Sequence, residues 1–159
     1  MIGVKIITVG TLKEGYLREA EAEYAKRLSG FCRLTEVSLK EERLPDTPSD
    51  SEIKIALRKE GEAILAQIPR RAFKIALCVE GKQLSSEELA QKLDNVAQLH
   101  GELCLVIGSS HGLDESVKSA CDMRLSVSKL TFPHQLMRII LLEAVYRGFN
   151  ILKGTHYHK

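Results

Sequence analysis

No apolar run in this chain is long enough to cross a membrane, no CxxC pair stands among its four cysteines, and the opening MIGVKIITVG lacks a secretion-signal layout. Cys32, Cys78, Cys104 and Cys121 lie far apart, and Cys78 and Cys104 fall inside apolar runs, where a thiol behaves as a small hydrophobe. Reduced cysteines and a cytoplasmic location are therefore expected. There is no GxGxxG fingerprint, no Walker lysine motif, no HExxH or Cys/His cluster and no GxSxG elbow. Their absence argues against dinucleotide and P-loop sites, a metal centre and a serine hydrolase. Repeats, low-complexity tracts and linkers are missing too. With 159 residues, 44% hydrophobic and 28% charged, the chain suits one domain spanning 1–159 around one core.

What is present alternates strand with helix. Val4–Val9 is a β-branched run closed by Gly10, and helical spacing follows over Gly15–Leu28, with Gly30 as its stop. Phe31–Leu39 reads as a second, more polar strand, and the two prolines of EERLPDTPS mark a loop. A helix from Asp50 to about Ile68 is expected to bury Ile53, Leu57, Ile64, Leu65 and Ile68. Phe73–Val79 and Leu103–Ile107 are continuously apolar, the signature of strands covered on both faces. Between them, Ser85 and Glu88 have capping-box spacing. A short helix over Asp114–Cys121 and a last strand over Met123–Val127 complete an α/β pattern with a mainly parallel sheet and helices on both faces.

The final stretch, from Leu125 to Lys159, differs in character. Pro133 opens a helix that is apolar nearly all round: Leu136, Met137, Ile139, Ile140, Leu141, Leu142, Ala144 and Val145 exceed the stripe one sheet can cover. A second subunit is the expected cover. From residue 129 onward Lys129, Arg138, Arg147, Lys153 and Lys159 face only Glu143, so the formal charge there is +4 in a chain of +2. Such a cationic end suits phosphate contacts. Glu143 and Arg147 are spaced for an i,i+4 pair, open to a structural or a functional reading. His134 reads equally well as a capping or solvent-facing side chain.

In open α/β sheets ligands bind at strand ends, which singles out three loops: Val79–Leu84, Gly108–Gly112 and Ser126–Phe132. The residues alone indicate an α/β domain with a basic C-terminal ligand-binding edge, dimeric by its last helix. The segment GSSHG, taken alone, reads as a turn.

The ordered set VGTLKEGYL, VEGKQLSSEELA, LVIGSSHGL, LSVSKLTFPHQLMRIILLEAVYRGFNI and the terminal HYHK resembles one family along essentially the whole chain. That family is the bacterial large-subunit ribosomal RNA pseudouridine methyltransferases, minimal members of the SPOUT superfamily of knotted RNA methyltransferases. The resemblance implies an α/β-knot fold with a C-terminal trefoil knot, a homodimer, and S-adenosyl-L-methionine as cofactor. It implies cofactor contacts at Leu77, Gly108, Val127, Ser128, Lys129, Leu130, Thr131 and Phe132, and substrate-end roles for Arg147, Tyr157 and His158. Among these His158 is the expected proton acceptor, because an imidazole's ordinary pKa suits neutral pH, with bulk water as the alternative. The implied reaction methylates ring nitrogen-3 of a pseudouridine in 23S ribosomal RNA, within the assembled ribosome, without metal or membrane. Charge adds Arg138 and Lys159, and position adds His156, as RNA contacts. The family pattern of two adjacent glycines is broken here by Gly108-Ser109. A transfer RNA target and a non-catalytic ribosome-binding role are the alternatives.

Overall fold

The computed structural model describes residues 1–159. It alternates β1 (Gly3–Val9), α1 (Gly15–Leu28), β2 (Arg33–Leu39), α2 (Asp50–Gln67), β3 (Phe73–Lys82), α3 (Ser86–Leu99), β4 (Glu102–Ile107), α4 (Glu115–Ala120), β5 (Met123–Leu125) and α5 (His134–Lys153). The five strands form one sheet in the order β2-β1-β4-β3-β5, every pairing parallel. Parallel neighbours need a crossover, and each intervening helix supplies one.

Side-chain alternation divides the strands between two cores. Val4, Ile6, Ile75, Leu77, Leu103 and Leu105 pack with Leu28 of α1, Leu93 and Val96 of α3, and Leu141, Leu142 and Val145 of α5. Ile7, Val9, Ala76, Cys104 and Val106 point the other way, onto Ile64 of α2 and Val117 of α4. Both faces are thus covered, as the unbroken apolar runs in β3 and β4 require. Capping boxes start two helices. Ser49 accepts from the Glu52 N–H at 3.2 Å, and Ser85 from the Glu88 N–H at 3.0 Å, while each glutamate accepts from its serine's own N–H.

Several boundaries differ from the sequence reading. Phe31 does not enter β2, because its ring stacks on Phe149 at 5.7 Å and meets the edge of Tyr146 at 5.8 Å. β5 stops at Leu125 instead of Val127, since the Ser126 N–H turns to donate to the Lys82 carbonyl at 2.9 Å. Pro133 stands just before α5 with extended ψ 139 and does not occupy its first turn. The buried face of α2 is Ala56, Glu60, Gly61 and Ile64, whereas Leu65 is exposed and Ile53, Leu57 and Ile68 are half-buried. Close approach decides that face: a Cβ on Gly61 would lie 3.1 Å from Asp114 Cβ and 3.3 Å from Val117 Cγ2.

α5 closes the first core between α1 and α3. Gly148 permits this, as a Cβ there would come within 2.7 Å of Leu93 Cδ1. Within one chain, the other side of α5 keeps Leu136 and Leu152 exposed and Ile140 half-buried.

Candidate functional site

At the C-terminal ends of β3, β4 and β5 lies a cavity of about 530 Å³. Its wall brings together the three segments that strand-end reasoning singles out: Val79 and Glu80 in the last part of β3, which runs on to Lys82 where the sequence reading turns the chain, Gly108–Gly112 after β4, and Ser126, Val127, Ser128, Leu130, Thr131 and Phe132 after β5. Leu77 lines it as well. Lys129, expected with them, is exposed and lies off the wall.

The glycine loop is closed tightly. The Gly112 N–H donates to the Ser109 carbonyl at 2.9 Å with Gly112 at φ +92, a conformation that side chains rarely adopt. Gly108 is required for a second reason, because a Cβ would stand 2.2 Å from the Gly112 oxygen. GSSHG is therefore a turn and a cavity wall at once. Where β3 ends, Gly81 lies so close to β5 that a Cβ would meet the Leu125 carbonyl carbon at 2.5 Å. Two chain segments thus cross in backbone contact at the rim.

Most of this wall is apolar or backbone. Its permanent charges are Glu80 and Lys118, paired at 2.6 Å, with the lysine hydrogen bond holding Glu80 below the ordinary carboxylate range. Burial, with help from Glu80, pushes the Cys78 thiol up, so it stays protonated at neutral pH. His111 and His134 line the cavity too, which gives His134 a place that its two sequence readings do not include. Sequence reasoning also missed the Glu80–Lys118 pair. The two lie 38 residues apart, and only the meeting of the β3 end with α4 joins them. Beneath the glycine loop, buried Glu60 accepts from the Glu42 N–H at 3.0 Å through Oε2, while Oε1 has no hydrogen-bond partner. No group of three or more His, Cys, Asp or Glu side chains is placed to hold a metal ion.

The tail forms a second cluster, away from this wall. Arg147 pairs with Glu143 at 2.7 Å, and the Tyr157 hydroxyl donates to the other Glu143 oxygen at 2.7 Å. Burial works against ionised Glu143, yet hydrogen bonds from Tyr157, Tyr24 and Arg147 prevail and hold its carboxyl below the usual range. The Arg147 guanidinium also sits over the Tyr157 ring, 4.8 Å from its centre. His158 bridges Arg147, 3.3 Å from Nδ1, and Glu87, 2.8 Å from Nε2. Since an arginine can only donate, Nδ1 accepts and Nε2–H donates to Glu87, which describes a neutral imidazole. The Glu143–Arg147 pair therefore does more than support the helix, for it anchors the tail.

The charge reading needs correction at Arg138. Its side chain is buried, pairing with Glu21 at 3.3 Å and donating to the Ser38 hydroxyl at 3.2 Å and the Gly10 carbonyl at 2.9 Å. It locks the first turns of α5 onto α1, β1 and β2 and presents nothing to a phosphate. His156 and Lys159 are exposed.

Residues 2–158 match the family model described as "Predicted SPOUT methyltransferase". Curated relatives named "Ribosomal RNA large subunit methyltransferase H" match end to end. That of Bacillus pumilus is 46% identical, covering 99% of this chain and 100% of the relative, and that of Listeria monocytogenes is 47% identical with the same coverage. The relative from Bifidobacterium adolescentis is 49% identical, covering 98% of this chain and 99% of its own. Among solved structures, a probable methylase family protein from Haemophilus influenzae superposes with TM-score 0.56 at 15% identity, over 98% of this chain and 70% of that one. The tRNA (m1G37) methyltransferase of Aquifex aeolicus gives TM-score 0.53 at 12% identity, over 91% and 69%. At those identities the two structures speak for the fold alone.

Proposed function

The chain belongs to the SPOUT methyltransferase family, within the group of ribosomal RNA large subunit methyltransferase H, and from that premise we propose that it methylates ring nitrogen-3 of a pseudouridine in 23S ribosomal RNA with S-adenosyl-L-methionine as donor. The observation that carries this reading is the cavity. Three strand-end loops converge on a space of about 530 Å³, walled by backbone and apolar side chains, in a chain that such relatives match along its whole length.

The wall fits an adenine nucleoside. Leu77, Val127, Leu130 and Phe132 offer apolar surface to a flat base, and the glycine loop lets main-chain groups come close. The close approach of Gly81 to the Leu125 backbone supports a knotted arrangement of these loops. When bound, the donor supplies an electrophilic methyl group on sulfur. The chain itself must then orient the base, exclude water and accept the imide proton of nitrogen-3.

For that last task we assign His158, with Arg147 and Tyr157 at the substrate end. The neutral imidazole has its lone pair on Nδ1, turned toward Arg147 in the free chain. An RNA phosphate drawing the guanidinium away would uncover that lone pair. Lys159 and His156, exposed beside it, suit further contacts to the RNA backbone. Since none of these residues lines the cavity of its own chain, we assign the complete site to a homodimer in which one protomer's tail meets its partner's cavity. Val79 and Leu130 at the cavity and Leu136 on α5 are exposed apolar side chains, as a subunit interface would leave them in one chain.

Calorimetry with S-adenosyl-L-methionine and mass spectrometry of 23S ribosomal RNA from a deletion strain test the proposal. Donor binding and loss of one pseudouridine methyl mark are the expected results. An unchanged methylation pattern refutes the target, and no donor binding refutes the enzyme. For the tail, His158→Ala is expected to lower methyl transfer at least about 100-fold while leaving donor affinity within about twofold.

A further inference from the structure

Lys118 is the one lysine or arginine on the cavity wall. Its side chain is 17% exposed, and its ammonium donates one hydrogen bond, to Glu80 at 2.6 Å. An ammonium carries three protons, and no other protein acceptor takes one from Lys118. The ammonium is not a buried, unpartnered donor, so its other protons stay accessible, and a ligand group that takes one gains a charge-assisted bond to a side chain that Glu80 already holds in place. The setting accounts for its fixed direction. The neighbouring Val117 is fully buried between the sheet and α2, which anchors α4, and Glu80 at the end of β3 holds the ammonium from the other side.

Building on the reading of the cavity as a methyl-donor pocket, we propose that Lys118 binds the carboxylate of the donor's amino-acid moiety, with Glu80 as the residue that positions it. The donor contributes a single carboxylate and the wall a single permanent cation; apart from the Glu80 carboxylate paired with that cation, the wall is apolar, backbone, hydroxyl, thiol or imidazole. Lys118 then selects an α-amino-acid sulfonium over compounds that share the nucleoside but lack the acid group.

The test is a thermodynamic cycle between ligand and lysine, read by calorimetry. Wild-type protein is titrated with S-adenosyl-L-methionine and with its decarboxylated form, which keeps the sulfonium and the amine. The wild type is expected to prefer the acid-bearing compound by about tenfold or more, as a charge-assisted hydrogen bond gives. In Lys118→Met that preference falls to within about twofold, and in Lys118→Arg it is largely retained. Equal affinity of the wild type for the two compounds overturns the assignment without recourse to any variant. A preference that persists in Lys118→Met overturns it as well. Wild-type protein that binds neither compound overturns the donor reading together with this one, so the two failures are distinct.

Discussion

Glu60 is buried in the second core's neighbourhood with one carboxylate oxygen unpartnered. Burial raises its pKa, and repulsion from Glu41 and Glu42 adds to the rise; the Glu42 N–H opposes it without prevailing. Because the folded-state pKa lies above the unfolded one, Glu60's contribution to stability is complete in acid and is lost as pH rises through the folded value. Glu60→Gln keeps the shape and cannot ionise. Its melting temperature relative to wild type is expected to climb from about pH 5 to about pH 8, and a flat difference across that range contradicts the account. Nothing in the sequence marked this residue. Its helix reads as a face of isoleucines and leucines, whereas the small side chains Ala56 and Gly61 settle which face meets α4 and carry Glu60 inward with them. Arg138 shows the same limit from the other direction, since charge counting has no means of telling a guanidinium buried on Glu21 from one facing solvent.

Elements were far more legible than contacts between them. Period-two and period-3.6 patterns, together with the Ser85 capping box, place all ten along the chain, because each depends on neighbours a few residues away. What the patterns omit is long-range, such as β3 running on to Lys82 and the backbone crossing of Gly81 with Leu125. That crossing yields a sharp expectation. Gly81→Ala would drive a methyl into backbone atoms that cannot swing aside, at a cost of at least about 3 kcal/mol in urea unfolding. Gly30→Ala, with nothing within 4 Å of its new Cβ, should shift stability by less than about 1 kcal/mol. Similar losses for the two variants would mean that the crossing is looser than drawn.

On the scale of the whole molecule, the residues proposed for the reaction fall in two places, the cavity and the tail. The cavity was foreseeable because strand ends of a parallel sheet define it, and Leu77, Gly108 and the segment after β5 were found there. The tail was not, since its folding onto Glu143 and Glu87 depends on how α3 and α5 pack. The proposed homodimer would join the two, and Leu136 offers a test. Wild-type protein is expected to sediment as a dimer, whereas Leu136→Glu weakens association at least about tenfold; a wild-type monomer at micromolar concentration would leave the divided site without an explanation.

The order of the strands also bears on how the molecule is born. The first strand synthesised takes one neighbour from Arg33–Leu39 and the other only from Glu102–Ile107, and the face they share is roofed by the helix that ends at Lys153. A nascent chain emerging from the ribosome thus carries a wet, greasy surface until the helix that ends at Lys153 clears the exit tunnel. A premature stop anywhere before that helix leaves this face open and material for the cell's quality control.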